Sequence, residues 1–201
     1  MGAGVSFENV FLAELRGRGF GAEEYTRTFK KRPHISKSKI DAYSNCTYLK
    51  ANDFIARDNY KETDQKYIAA TQIAYDTLMS LYDVNTRSIA AARFMDFTAD
   101  MRAMFEKFIK SSRRPNFELR IIGMQSDQAV DSLYGISDFI TKNRLGLFEA
   151  NLFGKEFRHI AIDIYSGMSY SVLLMDRIYK PGELANNMTM EQFWRSLTQR
   201  S

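Results

Sequence analysis

Phe157 to Asp176, FRHIAIDIYSGMSYSVLLMD, is the stretch that decides the fold. It reads as a β-hairpin, two alternating runs meeting at Gly167-Met168 with Ser166 and Ser169 on either side. A two-residue loop with glycine first is the type II′ pattern, because that position needs a positive φ. That turn sets the register: Tyr165 faces Tyr170, Ala161 faces Leu174 and His159 faces Asp176. The period of two then puts Ile160, Ile162, Ile164, Leu173 and Met175 together on the buried face.

The expected register places an imidazole beside a carboxylate, with Cβ atoms about 4.5–5.5 Å apart. A carboxylate in that position fixes the imidazole tautomer and stabilises the imidazolium, which is the base-and-orienter half of a nucleophilic triad. The plainer reading is a cross-strand ion pair worth roughly 0.2–1 kcal/mol. The chain has two histidines, His34 and His159, and one cysteine, Cys46. A single cysteine rules out an intramolecular disulfide framework and a cysteine-rich metal site.

The 201 residues, 45% hydrophobic and 26% charged, bound one ordinary globular domain with an appended arm. A net charge of +4 permits an anionic partner without demanding one, and no nucleic acid is called for. No apolar run reaches the length of a membrane span and no secretory signal is visible, so a soluble protein is expected. Met1 to Ser6, MGAGVS, fits the pattern for N-myristoylation at Gly2. One acyl chain binds membrane marginally and needs a second signal, which the basic run containing Arg27, Lys30, Lys31, Arg32, Lys37 and Lys39 could supply; the plainer reading is a flexible start followed by a solvated linker.

Residues 1–40 read as an arm or linker with a short helix near residues 6–16, and residues 41–201 as a single α+β domain. Asn45 to Leu49 reads as the start of a helix. A second helix is expected from Lys61 to Tyr82, with Tyr67, Ala70, Ile73, Ala74, Leu78 and Leu81 as its stripe. A third follows from Asn85 or Thr86 to about Ser111, buried through Ile89, Phe94, Phe97, Met101, Met104, Phe105 and Phe108. Phe117 to Gly123 and Leu145 to Phe153 read as strands flanking a helix over 126–142. Thr189 and Gln192 form a capping box for a last helix. The sum is an α+β domain, helices packed on a mostly antiparallel sheet.

Residues 90–180 resemble the YopJ family of bacterial effector acetyltransferases. Met95-Asp96 followed by Met101 is similar to the family's M-D-x-x-x-M helix. Pro115 to Leu119 resembles the entry to its first strand, His159 to Asp163 its histidine strand, and Leu173 to Asp176 the strand ending in its acidic residue. The resemblance implies a cysteine-protease-like fold, with His159 as general base and Asp176 as its orienter. A cysteine would pass acetyl from acetyl-CoA to Ser, Thr or Lys of a host signalling protein such as a kinase, with inositol hexakisphosphate as activator. It also implies a protein secreted into a host cell, acting in its cytoplasm or at a membrane surface. The family's nucleophile follows the acidic residue, and no cysteine follows Asp176 here. A truncated or inactive transferase is therefore expected.

Two further readings stand beside that one. Papain-like proteases run in the order Cys, His, Asp, and Cys46, His159 and Asp176 satisfy it. There the thiol sits at a helix N-terminus, where the dipole and a nearby imidazolium lower its pKa. The other reading is a pseudoenzyme, a non-catalytic domain that binds a partner.

Overall fold

The computed structural model describes residues 32–37, 40, 46–57, 66–73, 75–113, 115–123, 130–152 and 158–173. Ten strands and two helices of eight or more residues lie within them: β1 (His34–Ser36), β2 (Cys46–Tyr48), β3 (Phe54–Arg57), β4 (Tyr67–Ile73), β5 (Thr77–Asp83), β6 (Ser88–Phe94), α1 (Ala99–Ser111), β7 (Phe117–Gly123), α2 (Val130–Asn143), β8 (Gly146–Leu152), β9 (Arg158–Asp163) and β10 (Ser169–Leu173). The strands form two five-stranded sheets, ordered β1-β10-β9-β4-β2 and β3-β6-β5-β7-β8. The class is α+β. In the first sheet β1 runs parallel to β10 and β2 to β4, and in the second β7 runs parallel to β8; the remaining pairs are antiparallel.

Three layers result. One face of the second sheet carries Met79, Leu81, Ala90, Ala92, Leu119 and Ile121 against the two helices. Helix α1 starts at Thr98, whose hydroxyl accepts from Met101 N at 3.2 Å, and buries Met101, Phe105 and Phe108 at helical spacing. Phe139 of α2 meets Phe105 and Phe97 with ring centroids 6.0 and 5.5 Å apart. The other face of that sheet packs on the first sheet through Ile68, Ile73, Leu78, Ile122, Ile160 and Ile162. The outer face of the first sheet carries a smaller cluster of Ile35, Ile40, Tyr67, Ala69, Ala161 and Val172.

Several expectations are corrected here. Cys46–Tyr48, expected within the start of a helix, is a strand. The expected helix 61–82 is the strands β4 and β5, and the first part of the expected helix 85–111 is β6. Every residue of β5 is buried, because both faces of its sheet are covered. A strand buried on both faces loses its alternation and cannot be told from a buried helix by periodicity. Asn85 and Thr86 belong to the β5–β6 turn, where Asn85 N and Thr86 Oγ1 bond the carboxylate of Asp83 at 3.1 and 2.9 Å. Met95-Asp96 precedes helix α1 instead of lying in it. Residues 34–36, inside the expected arm, form β1 and dock on the domain by pairing with β10, which leaves the reading of an arm in place. The strands at 117–123 and near 145–153 and the helix ending near 142 are where they were expected. The expected helices near 6–16 and after Thr189 lie outside the described residues.

Candidate functional site

The β9–β10 hairpin exists, but its turn is longer than two residues. Asp163 N donates to Met168 O at 2.9 Å and Gly167 N to Asp163 O at 2.8 Å, so the chain reverses over Ile164 to Met168. The Asp163 carboxylate also accepts from Tyr165 N and Ser166 N, at 2.8 and 3.2 Å. Gly167 does sit at a positive φ, +68°, and a Cβ there would lie 2.4 Å from the Tyr82 ring. Tyr82 ties the turn to the second sheet through its hydroxyl, which donates to Tyr165 O at 2.6 Å. Burial raises the Tyr82 pKa, which keeps that proton in place.

The longer turn moves the register by four residues. Tyr170 pairs with Ala161, not with Tyr165, and Ser171 pairs with Ile160. One step further His159 stands opposite Val172, not Asp176. The shift is even, so the faces survive: Ile160, Ile162 and Ile164 do lie between the sheets. Asp176 lies outside the described residues.

His159 has another task. The β4–β9 pairing slips between Ala70 and Ile73. Within that bulge Gln72, at φ +57°, donates its N–H to His159 Nδ1 at 3.2 Å. Arg93 reaches across from β6 and holds the same bulge from its carbonyl side, Nη2 donating to Gln72 O at 3.3 Å while the guanidinium pairs with Asp76. Burial, and then the positive charge of Arg93, lower the His159 pKa. A ring whose Nδ1 accepts a backbone proton is neutral, with its own proton on Nε2.

Cys46 lies in strand β2 rather than at a helix N-terminus. It pairs with Tyr67, and Tyr67 pairs with Asp163. That row is four residues along β9 from His159 and two strands across, so the Cα atoms are separated by about 16 Å. Nucleophile and base need about 2.6–3.2 Å between heavy atoms. The fold does not bring Cys46 and His159 together, and the thiol packs instead against the small outer cluster.

What the fold does assemble is a charged pocket at the turn. The second sheet's inner face is mainly apolar along β5 and β6, Ser80 and Arg93 apart, but carries Glu118 and Arg120 on β7 and Glu149 on β8, which faces Arg120 in the register. Glu149 is 2% exposed and Arg120 3%. The Glu149 carboxylate pairs with Arg32 through Oε1 and accepts from Ser169 Oγ through Oε2 at 2.6 Å. Arg120 Nη2 donates to Glu118 at 2.7 Å, but its Nε is 3.7 Å from Glu149 Oε2, beyond hydrogen-bond range. Arg120 Nη1 is buried with no hydrogen-bond partner. The guanidinium carbon lies 4.4 Å from the centroid of the Phe148 ring. Burial lowers the pKa of both arginines; Arg32 falls to about 10, helped by the charges of Arg158 and Arg120. These groups, with Ser166 and Met168 of the turn, line a cavity of about 320 Å³.

This pocket went unread in the sequence, although FELRIIG and LFEANLF each set a charge among apolar residues. A charge at an alternating position of an otherwise apolar strand was the available signal. Among the described residues no group of three or more His, Cys, Asp or Glu side chains is placed to hold a metal ion. No helix among them is long and apolar enough to cross a membrane. Compared with known proteins, the sequence matches no family model and no curated protein.

Proposed function

We propose that this domain is a non-catalytic binding module, the pseudoenzyme among the three readings of its sequence. The observation that carries the proposal is the commitment of His159: its Nδ1 holds the backbone of the β4 bulge. A base so engaged, with Cys46 two strands away, has no thiol to activate. Proteolysis by Cys46 needs that thiol at the ring, and acetyl transfer using acetyl-CoA and inositol hexakisphosphate needs a cysteine there as well, which Cys46 does not supply. The pocket beside Arg120 is the concave, polar-floored feature that a binding role uses. In this reading the cysteine-protease-like resemblance concerns ancestry and the effector setting. The protein then acts in a host cell by occupying a partner.

The test is direct. Full-length protein is incubated with acetyl-CoA, inositol hexakisphosphate and candidate kinases, and acetyl groups are sought by mass spectrometry. None are expected on the kinases or on Cys46. Alkylation of Cys46 across pH should be unchanged by His159→Ala. Acetylation lost on His159→Ala, or a depressed Cys46 pKa restored by that change, overturns the proposal.

A further inference from the structure

We propose that the turn pocket binds a small monocarboxylate bearing an aromatic or branched apolar group, its carboxylate held by the Arg120 guanidinium and its apolar part resting on Phe148 and Met168. The inference rests on the binding-module reading and names what such a module takes up.

The argument begins with the donor that lacks an acceptor. A buried polar group left without a partner is costly, and more so when charged. Both nearby carboxylates are occupied, Glu118 by Arg120 Nη2 and Glu149 by Arg32 and Ser169. Another oxygen acceptor is what Arg120 Nη1 lacks. That acceptor should be an anion, because the donor is a buried guanidinium and Arg32 lines the same cavity. It should carry one negative charge and not two, because Glu118 and Glu149 share the cavity and repel a dianion.

The rest of the ligand is read from the rim. Phe148 is 43% exposed and Met168 46%, two large apolar side chains at the mouth of a charged pocket. Phe148 already stacks on the guanidinium, so a ligand ring or branched chain beside it extends an existing stack. The cavity, about 320 Å³, is near the lower end for small-molecule sites and too small for a coenzyme.

Phenylacetate, inorganic phosphate and benzylamine are titrated into the full chain by calorimetry at pH 7. Saturable phenylacetate binding is expected with a Kd of about 1 mM or tighter. Phosphate should bind at least about tenfold more weakly, and benzylamine not at all. Arg120→Gln should abolish binding, but it strands buried carboxylates and risks unfolding. Met168→Glu, on the exposed rim, therefore carries the test: unchanged circular dichroism with phenylacetate weakened about tenfold or more. Phe148→Ala should weaken it by about fivefold. Absent phenylacetate binding, phosphate binding tighter than phenylacetate, or binding indifferent to Met168→Glu overturns the site. The two proposals fail separately: acetyl transfer alongside intact phenylacetate binding sinks the binding-module reading alone, and the reverse result sinks the site alone.

Discussion

The space between the two sheets is filled by two different chemistries. On the β4–β5–β6 side it is mainly hydrocarbon, with Ile68, Ile73, Leu78 and Ile160 between 0 and 1% exposed and the paired Arg93 and Asp76 beside the β4 bulge. On the β7–β8–β10 side it holds Arg120, Glu149 and Ser169, with Arg32 arriving just ahead of β1, all 9% exposed or less. The first half stabilises the sandwich by removing apolar surface from water, at about 25 cal/mol per Å². The second half takes ions out of water and recovers that cost only where geometry and hydrogen bonds are complete. At Arg120 they are incomplete. A sandwich needing only stability would continue the isoleucines; in the proposed binding-module reading the charged half is where the fold gives up stability for recognition.

The sharpest way to break this contrast is to remove one ion. Glu149→Ala leaves Arg32 and Arg120 facing each other without their shared carboxylate, and should destabilise by about 3–5 kcal/mol in urea. Replacing Arg32, Arg120 and Glu149 together with apolar side chains should be neutral or stabilising by up to about 4 kcal/mol, while abolishing phenylacetate binding. If the triple replacement is as damaging as the single one, the charged half is structural. Next in size is the turn. Gly167→Ala forces a side chain into the left-handed region and against the Tyr82 ring, at roughly 1–3 kcal/mol, and should disturb the pocket beside it. Smaller again is Ile162→Val in the apolar half, expected to cost about 0.5–1.5 kcal/mol with ligand binding unchanged.

The same contrast separates what could be read in the sequence from what could not. Strands β7 and β8 and helix α2 were legible because short apolar runs there end at clear breaks, the Ser112–Asn116 segment and Lys142–Arg144. Strands β5 and β6 were not, because Thr77–Asp83 is buried on both faces and Ala90, Ala91 and Ala92 imitate a helix in composition. The inward face of β9 was correctly assigned even though its partner register was not. Alternation survives a shift of four, whereas the identity of the residue opposite His159 does not. The pocket's ion pairs were out of reach for another reason: Arg32 and Glu149 are 117 residues apart, and only the pairing of both sheets brings them together.

The smallest effect concerns His159 and distinguishes a structural imidazole from a catalytic one. Its folded-state pKa lies below the ordinary 6.5 because of burial and the charge of Arg93. The unfolded chain therefore takes up its proton first as pH falls. The neutral ring contributes stability that is present above about pH 6.5 and is lost as pH drops from there through the lowered folded value. Protonation of Nδ1 also removes the acceptor for Gln72 N–H, so the loss should centre on the bulge of β4. Thermal melts from pH 7.5 to 5 should show a decline in the wild type that is reduced in His159→Gln. Hydrogen exchange at Gln72 should quicken in parallel. A general base paired with a carboxylate behaves in the opposite sense, its folded pKa raised and its contribution greatest in acid. A melt that strengthens below pH 6.5 through His159 would restore the ring as a candidate base and withdraw the structural role given to it here.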